Sequence, residues 1–273
     1  MINNKKEKKL IDEAKKIRKS IIEMIKPPKE GHLGGSMSCA DIITVLYYYK
    51  MKLDPNNPKW AERDRLILSK GHSCLAQYAA LANLNFFPYD DIYKFKELSC
   101  HLQGHPDVNK TTGIEANTGS LGQGLSIGVG MCLGAKLDNY TYNVYVIIGD
   151  GELQEGQIWE AAMAAANYKL DNIVAIIDNN MLQATGFIKN RMDIGDISNK
   201  WKAFGWEVIE INGHDVLEIA NALDAADSIN CPVCLVAHTV KGKGISYAEN
   251  IPGYHKLKLS EENYFESLKN LSQ

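Results

Sequence analysis

Two polar residues, each placed just after a run of apolar residues, are the first candidates for chemistry in this sequence. Asp150 lies between two glycines after the segment YNVYVIIG, and Asn180 follows the segment NIVAIIDN. A carboxylate, an amide oxygen and a backbone carbonyl are hard ligands that suit Mg²⁺ or Ca²⁺ together with phosphate oxygens. The glycines beside Asp150 would let backbone N–H groups approach an anion closely. The pattern predicts a diphosphate clamped by a metal ion, with two ordinary turns as the alternative.

For this chemistry the two residues must lie at the tips of neighbouring strands, and the intervening sequence supports that arrangement. There are 27 residues between Gly151 and Asn179, and they include the helical segment EGQIWEAAMAAANY. The alternation of apolar strand and helix continues to about residue 240, which predicts an α/β fold with a mostly parallel sheet covered on both faces. In such sheets, ligands bind beyond the carboxyl ends of the strands.

The first half of the chain supplies the elements that must complete this site. A helix is predicted to run to Lys26, because Pro27 and Pro28 cannot continue it. The segment EGHLGGSMS is predicted to be a glycine loop, in which Ser38 caps a helix over residues 39–50. Further predictions are a strand in DRLIL, a turn in SKGH, helices in SCLAQYAALANL and GQGLSIGVGMCLGAKL, and an irregular region over residues 85–120.

Composition excludes several classes of protein. The chain has 273 residues, 45% of them hydrophobic, and a net charge of -3, which argues against bulk nucleic-acid binding. The lysine-rich start is interpreted as a solvated helix face rather than a nucleic-acid arm. No secretory signal is visible, and the longest apolar run is too short to span a bilayer.

The six cysteines are scattered along the chain, apart from the pair Cys231 and Cys234. This pair is interpreted as buried thiols in a strand rather than as half of a zinc site, because no second pair of ligands accompanies it. Unpaired thiols predict a reduced, cytoplasmic location.

Several motifs, in order, resemble those of transketolases, which are enzymes that depend on thiamine diphosphate. They are GHLGGSMSCADIITVLYY, DRLILSKGHSCLAQYAALA, LQGHPD, TTGIEANTGSLGQGLSIGVGMCLGAK, the GDG…NN segment described above, and HTVKGKGISYAENIPGYH. The resemblance runs from about residue 17 to residue 255. It implies a three-layer α/β/α thiamine-diphosphate-binding fold, thiamine diphosphate and Mg²⁺ as cofactors (Ca²⁺ or Mn²⁺ being alternatives), and transfer of a two-carbon glycolaldehyde unit from a ketose to an aldose.

The resemblance also implies roles for individual residues at the cofactor. Asp150, Asn180 and the carbonyl of Leu182 would bind the metal. The residues expected around the diphosphate are Gly151, His72, Lys70 and Lys241, and those expected along the rings of the cofactor are Gly119 and Leu121. Glu155 and Glu160 resemble carboxylates that couple two active sites at a subunit contact. The alternative for these two glutamates is a charged first helical turn stabilised by the helix dipole.

Three further histidines, His32, His105 and His255, are expected to act in catalysis around the substrate. Each lies in a glycine-rich or irregular segment, where functional groups concentrate. An imidazole can give and take protons near neutral pH, which suits it to this role. The resemblance implies that His105 contacts hydroxyl groups of the donor, whereas His32 and His255 lie near the reacting oxygen and the acceptor aldehyde.

The chain matches only the first of the three domains of a full transketolase. Residues 1–273 are predicted to form a single diphosphate-binding domain, and the pyrimidine-binding and C-terminal domains are expected on a separate subunit. An α2β2 complex with that C-terminal subunit is predicted, with sugar phosphates as substrates. The small-residue helix and the segment around Trp159 are candidate contact surfaces.

Departures from the family pattern leave the substrate open. Leu33 replaces a common proline, residues 183–185 replace a frequent acidic position, and Lys256 and Leu257 follow His255 where Gly and Lys are usual. The main interpretation is a transketolase subunit of the pentose phosphate pathway. The alternatives are a split transketolase for an unusual catabolic ketose (a branched sugar phosphate or a sulfonated sugar), the α-subunit of another thiamine enzyme such as a 2-oxoacid dehydrogenase, a non-catalytic subunit, and an inactive remnant.

Overall fold

The protein is built on a five-stranded parallel sheet, and the computed structural model describes residues 2–271. The strands are β1 (Glu30–Gly31), β2 (Arg65–Leu68), β3 (Val144–Gly149), β4 (Ile173–Asn179), β5 (Leu182–Gln183), β6 (Gly186–Phe187), β7 (Glu207–Asn212), β8 (Val233–His238) and β9 (Leu257–Lys258). The helices are α1 (Asn4–Met24), α2 (Leu33–Ser38), α3 (Ala40–Val45), α4 (Cys74–Asn83), α5 (Gln123–Leu137), α6 (Gly156–Asn167), α7 (Ile197–Ala203), α8 (Val216–Ala226) and α9 (Glu261–Leu271).

The order of strands in the sheet places β3 and β4 side by side. The order is β2-β3-β4-β8-β7, and every neighbouring pair is parallel. Gly149 at the end of β3 lies opposite Asp178 of β4, so Asp150 and Asn180 leave the sheet at the same edge. The predicted α/β fold with adjacent strands is therefore confirmed.

Alternate residues of each strand enter two separate cores, one on each face of the sheet. Tyr145 and Ile147 of β3 pack with α1, α4 and α8, whereas Val144, Val146 and Ile148 pack with α5, α6 and α7. The strands are buried on both sides, which is why they form nearly continuous apolar runs in the sequence. The three layers follow directly from this alternation.

The prediction of a glycine loop capped by Ser38 is wrong. The segment from Leu33 to Ser38 forms α2, and Ser38 is its last residue rather than the cap of the next helix. Its hydroxyl donates instead to the carboxylate of Asp178, at 2.5 Å, and to the carbonyl of Gly35. A local rule of sequence therefore assigned Ser38 to a helix terminus, although its partner lies far along the chain.

A short antiparallel ladder ties two distant segments of the chain together. β1 pairs with β9, with Glu30 opposite Lys258 and Gly31 opposite Leu257. His32 follows β1 directly, and a single residue separates His255 from the start of β9. The ladder thus brings two of the predicted catalytic histidines to the same place, although more than two hundred residues separate them.

Two expectations about cellular environment concern the same elements. All six cysteines are free thiols, and Cys234 is buried within β8, as expected for a strand position. Within residues 2–271, no helix combines the length and apolar character needed to cross a membrane.

Candidate functional site

A cleft of about 340 Å³ opens at the carboxyl edge of β3 and β4. It gathers residues from the ends of β2, β3 and β4 and from the segments that follow β1 and β8. The predicted residues that line it are His32, Lys70, His72, Gly119, Leu121, Asp150, Gly151, Glu155, Asn180, Leu182, Lys241 and His255. The sequence therefore identified residues that are distant along the chain but adjacent in the fold.

Asp178, at the end of β4, is the charged centre beneath the cleft. Its side chain is completely buried and accepts hydrogen bonds from the hydroxyls of Ser38 and Thr239, each at 2.5 Å, and from the Lys70 ammonium. Burial by itself would raise the pKa of Asp178, but Lys70 and these hydrogen bonds outweigh it, so the pKa lies below its ordinary value. Asp178 thereby joins α2, β2 and β8 to the end of β4.

Asp150 differs from Asp178, because its carboxylate has no cationic partner among the ion pairs of residues 2–271. It is 2% exposed and accepts hydrogen bonds only from the backbone N–H groups of Gly151 and Met181. Burial, followed by the nearby charge of Asp178, raises the pKa of Asp150 to about 7. A buried carboxylate in this condition is stabilised by a bound cation.

Lys241 presents the complementary condition, a buried ammonium without a carboxylate partner among the ion pairs of the described chain. It is 3% exposed, and its Nζ donates to the carbonyl of Leu182 at 2.7 Å. Burial lowers the pKa of Lys241 to about 8, an effect that Lys70 increases and Asp150 opposes. An anion in the cleft would stabilise the charged form of this side chain.

The remaining diphosphate candidates border the same space. Lys70 Nζ donates to the Gly35 carbonyl at 2.8 Å as well as to Asp178. A Cβ atom on Gly35 would lie 3.6 Å from His72 Nε2 and 3.7 Å from Lys70 Nζ, so glycine keeps this space open. Together with the backbone at Gly151, these residues form a pocket with the chemistry of an anion site.

The three predicted metal ligands lie close together along the rim of the cleft. Asn180 Oδ1 accepts from the N–H of Leu182 at 3.1 Å, while its Nδ2 donates to Asp178 at 3.1 Å. Within residues 2–271 no group of three or more His, Cys, Asp or Glu side chains could hold a metal. The donor set of one carboxylate, one amide oxygen and one carbonyl instead fits a hard cation that shares its ligands with a diphosphate.

Four histidines meet over the cleft. The ring of His32 lies 5.1 Å from that of His72, 5.5 Å from that of His255 and 6.2 Å from that of His105. Burial is the main reason that the pKa of His32 falls to about 4, that of His255 to about 3 and that of His72 to about 2. These rings are therefore neutral at neutral pH, and each can both donate and accept a hydrogen bond. His255 Nδ1 is buried without a partner, which leaves an unsatisfied polar atom beside the cleft.

His105 lies at the outer side of this group and is exposed. It contacts Gly119, where a Cβ atom would come within 2.7 Å of its ring, and Gly119 has a φ of 138°. Glycine is required at position 119 for both reasons. The hydroxyl of Tyr78 donates to the His105 carbonyl at 3.0 Å and fixes this part of the loop.

The two glutamates predicted at a subunit contact are both exposed. Glu155 lies at the edge of the cleft, one residue before α6, whereas Glu160 lies on α6 and is not part of the cleft lining. The structure does not bring them together with the histidines.

Glu152 is a further site residue that sequence reasoning missed. It is 2% exposed and accepts from Ser69 Oγ at 2.5 Å and from the backbone N–H groups of Gly122 and Gly149 at 2.9 and 3.1 Å. It therefore fastens the loop that carries Gly119 and Leu121 to the turn that carries Asp150. The available signal was its place two residues after Asp150, in GDGE, while the signal for Asp178 was an acid at the end of an apolar strand.

The fold and the cleft define a domain that binds an anionic cofactor at the carboxyl edge of a parallel sheet. Residues 8–271 match the family described as "Transketolase, thiamine diphosphate binding domain". The chain belongs to this family, and it is therefore part of an enzyme of the transketolase class.

Relatives of similar length carry related names. One of the two subunits named for the apulose-4-phosphate transketolase of Phocaeicola vulgatus is 42% identical over 262 residues, which cover 96% of this chain and 93% of the relative. The 6-deoxy-6-sulfo-D-fructose transketolase subunit SqwG of a Clostridium species is 43% identical over 251 residues, which cover 92% of this chain and 91% of that relative.

Solved structures match the fold closely. A crystal structure of transketolase from Campylobacter jejuni superimposes with a TM-score of 0.91 at 32% identity and covers 96% of this chain. This chain spans only 42% of that protein. The resemblance predicted from the motifs is thus confirmed for family, fold and enzyme class.

We expect Glu152→Gln to lower the free energy of unfolding by about 1–3 kcal/mol, because the new NH₂ group would face a backbone N–H donor and leave it unpaired. Urea unfolding of the purified chain would measure this change. Glu160→Gln, a matched substitution on the exposed face of α6, is expected to change it by less than about 0.5 kcal/mol. Equal effects of the two substitutions would contradict the role given to Glu152.

The lowered pKa values of the buried histidines predict a dependence of stability on pH. Unfolded histidine has a pKa of about 6.5, so between pH 7 and 4 the unfolded chain binds protons that folded His32 and His255 do not. The free energy of unfolding should therefore fall as the pH falls through this range. A His32→Asn, His255→Asn double variant should show a smaller fall when urea unfolding is compared at several pH values without cofactor. Above pH 7.5 the two proteins should run parallel, and equal slopes below pH 6 would contradict the prediction.

Proposed function

We propose that this chain is the N-terminal, cofactor-binding subunit of a two-subunit transketolase that transfers a two-carbon unit from a ketose to an aldose. The observation that carries the proposal is the pairing of a buried carboxylate without a cation, Asp150, with a buried ammonium without an anion, Lys241, in one cleft of the described chain. Thiamine diphosphate with a divalent metal would satisfy both charges. When bound, this cofactor supplies the carbon nucleophile and the electron sink that cleavage beside a ketone requires.

Each residue of the cleft has a task in this proposal. Asp150, Asn180 and the Leu182 carbonyl hold the metal, which we take to be Mg²⁺, with Ca²⁺ or Mn²⁺ as alternatives. The groups that hold the diphosphate are Lys70, His72, Lys241 and the Gly151 N–H. Gly119 and Leu121 line the space for the rings of the cofactor.

The histidines act on the substrate. His32 and His255 are neutral and lie 5.5 Å apart, so they can pass a proton to or from the reacting oxygen of the sugar. His105, exposed beside Gly119, is placed to hydrogen-bond the hydroxyl groups of the donor. Glu155, at the edge of the cleft, is proposed to act between the active sites of neighbouring subunits.

The domains that this chain does not match are proposed to lie on a C-terminal partner chain in an α2β2 complex. Relatives of the same length are named as subunits, which supports a separate partner. On α5, a Cβ atom at Gly130 or Gly134 would meet nothing within 4 Å, and Met163 on the neighbouring α6 is 52% exposed. This surface is the proposed contact. Free thiols at all six cysteines support a cytoplasmic location.

Two donor classes remain for the reaction. Pentose phosphates are the first, because they define the general transketolase reaction and would place the enzyme in the pentose phosphate pathway. The second is an unusual catabolic ketose with an anionic end group. The two relatives of matching length, named for apulose 4-phosphate and 6-deoxy-6-sulfo-D-fructose, favour this second class.

A two-carbon transfer assay tests the reaction and separates the donors. The chain, its candidate C-terminal partner, thiamine diphosphate and Mg²⁺ would be mixed with ribose 5-phosphate as acceptor. Xylulose 5-phosphate, apulose 4-phosphate and 6-deoxy-6-sulfo-D-fructose would serve as donors in separate arms. We expect an acceptor lengthened by two carbons only in the mixture of both chains, and the fastest arm identifies the donor class. A mixture that binds the cofactor but lengthens no acceptor with any donor would refute the proposal.

We expect Asp150→Asn to weaken metal-dependent binding of thiamine diphosphate to the assembled enzyme about tenfold or more, which corresponds to about 1.4 kcal/mol. The reason is that an amide keeps the shape of the side chain but loses the charge that holds the cation. Calorimetric titration with and without Mg²⁺ measures the effect. Asp193→Asn, an exposed acid of the segment between β6 and α7, is the matched control and should leave the affinity unchanged. Unchanged affinity in Asp150→Asn would remove Asp150 from the metal site.

A further inference from the structure

The segment after β8, residues 239–244, carries Lys241 into the cleft, and hydrogen bonds hold it at several points. Thr239 donates to Asp178, and the Gly242 N–H donates to the Gly34 carbonyl at 3.1 Å. A third contact comes from His214, which lies in the turn between β7 and α8 and outside the cleft lining.

The contact between His214 and this segment fixes the state of the imidazole. The Val240 N–H donates to His214 Nε2 at 2.8 Å. Because a backbone N–H can only donate, Nε2 must be the unprotonated nitrogen. The ring proton therefore resides on Nδ1, which lies 2.7 Å from Asp41 Oδ2 and donates to it. His214 is thus a neutral imidazole in one tautomer, with both nitrogens engaged.

Asp41 is itself held by Arg18 of α1. The guanidinium donates to both carboxylate oxygens, at 2.8 and 2.6 Å, and both side chains are nearly fully buried. Arg18 Nε also donates to the Lys243 carbonyl at 3.2 Å. The row Arg18, Asp41 and His214 therefore grips the segment on both sides of Lys241, through Val240 and through Lys243.

Lys241 has little freedom once its backbone is held. Its Cγ would lie 3.0 Å from a Cβ atom on Gly34, and its Nζ donates to the Leu182 carbonyl at 2.7 Å. Val240 is its neighbour in the chain, so a shift of the Val240 N–H moves the ammonium relative to Leu182. The affinity of the cleft for an anion depends on that position.

We propose that His214, fixed by Asp41 and Arg18, is a positioning residue for the cofactor: it holds the segment so that Lys241 faces the diphosphate and the Leu182 carbonyl. His214 touches neither group itself. This proposal rests on the proposed function, because it assigns Lys241 to the diphosphate of thiamine diphosphate.

Two substitutions of His214 separate its two hydrogen bonds. The Nδ2 of an asparagine can replace Nδ1 and donate to Asp41, but it leaves the Val240 N–H unpaired. The Oε1 of a glutamine can replace Nε2 and accept from Val240, but it loses the bond to Asp41. In the assembled enzyme, we expect His214→Asn to raise the Kd of thiamine diphosphate with Mg²⁺ about tenfold, the loss expected for one unpaired buried donor. His214→Gln should stay within about threefold of the unsubstituted protein on the same grounds.

A double-mutant cycle tests whether His214 acts through Lys241. Lys241→Met removes the ammonium and should itself weaken binding. If His214 acts by placing that ammonium, His214→Asn should change the Kd by less than about twofold in the Lys241→Met background. A general structural role would give the same loss in both backgrounds. Calorimetry and the melting temperature of every variant would be recorded together.

If His214→Asn did not fold, Arg18→Lys tests the same row, because lysine cannot donate to both Asp41 oxygens and to the Lys243 carbonyl. It should weaken cofactor binding in the parent and have little effect in the Lys241→Met background. Equal losses in His214→Asn and His214→Gln, or full additivity with Lys241→Met, would overturn the proposal. Loss of affinity in Lys241→Met with none in His214→Asn would overturn the positioning role alone. An assembled parent enzyme that does not bind thiamine diphosphate would overturn the proposed function as well.

Discussion

The buried ion pair between Lys70 and Asp178 is the interaction on which the rest of the site depends. Neither side chain reaches solvent appreciably, so each would be costly without the other. Asp178 also accepts from Ser38 and Thr239, which lie 140 and 61 residues away along the chain. One carboxylate therefore sets the relative positions of α2, β2, β4 and the segment after β8. Every group that borders the cleft is attached to one of these elements, or lies beside it at the end of β3.

Above this satisfied pair lie charges that the protein leaves unsatisfied. Asp150 has only backbone donors, and Lys241 has only a backbone acceptor within the described chain, although both are almost fully buried. Two such groups in direct contact would neutralise each other and leave nothing to bind. Holding them on separate segments, each fixed by its own hydrogen bonds, keeps a carboxylate ready for a cation and an ammonium ready for an anion. Glu152 performs the fixing on one side, and the row Arg18, Asp41 and His214 performs it on the other.

The histidine group shows how the same fold prepares the chemistry of the substrate. His32, His72, His105 and His255 come from four segments, and their rings lie 5.0 to 6.2 Å from their neighbours. Their crowding, their burial and the nearby lysines all disfavour the protonated form. The lysines therefore hold the positive charge of the cleft, while the neutral rings keep both a donor and an acceptor. This division suits a site that must bind a diphosphate and move protons side by side.

The sequence by itself determined the parts of the protein that depend on neighbours in the chain. Apolar runs of strand length predicted β3, β4 and β8, and the spacing between Gly151 and Asn179 placed Asp150 and Asn180 at adjacent strand tips. The motifs also identified the residues that line the cleft. Only the tertiary structure decided that Ser38 binds Asp178 rather than capping a helix, that β1 pairs with β9 and so joins His32 to His255, and that Glu152 and His214 hold the cleft in place. The physical reason is that a hydroxyl, an acid or an imidazole accepts many partners with similar energy. Packing of the whole chain selects which partner lies within hydrogen-bonding distance, and no local pattern records that choice.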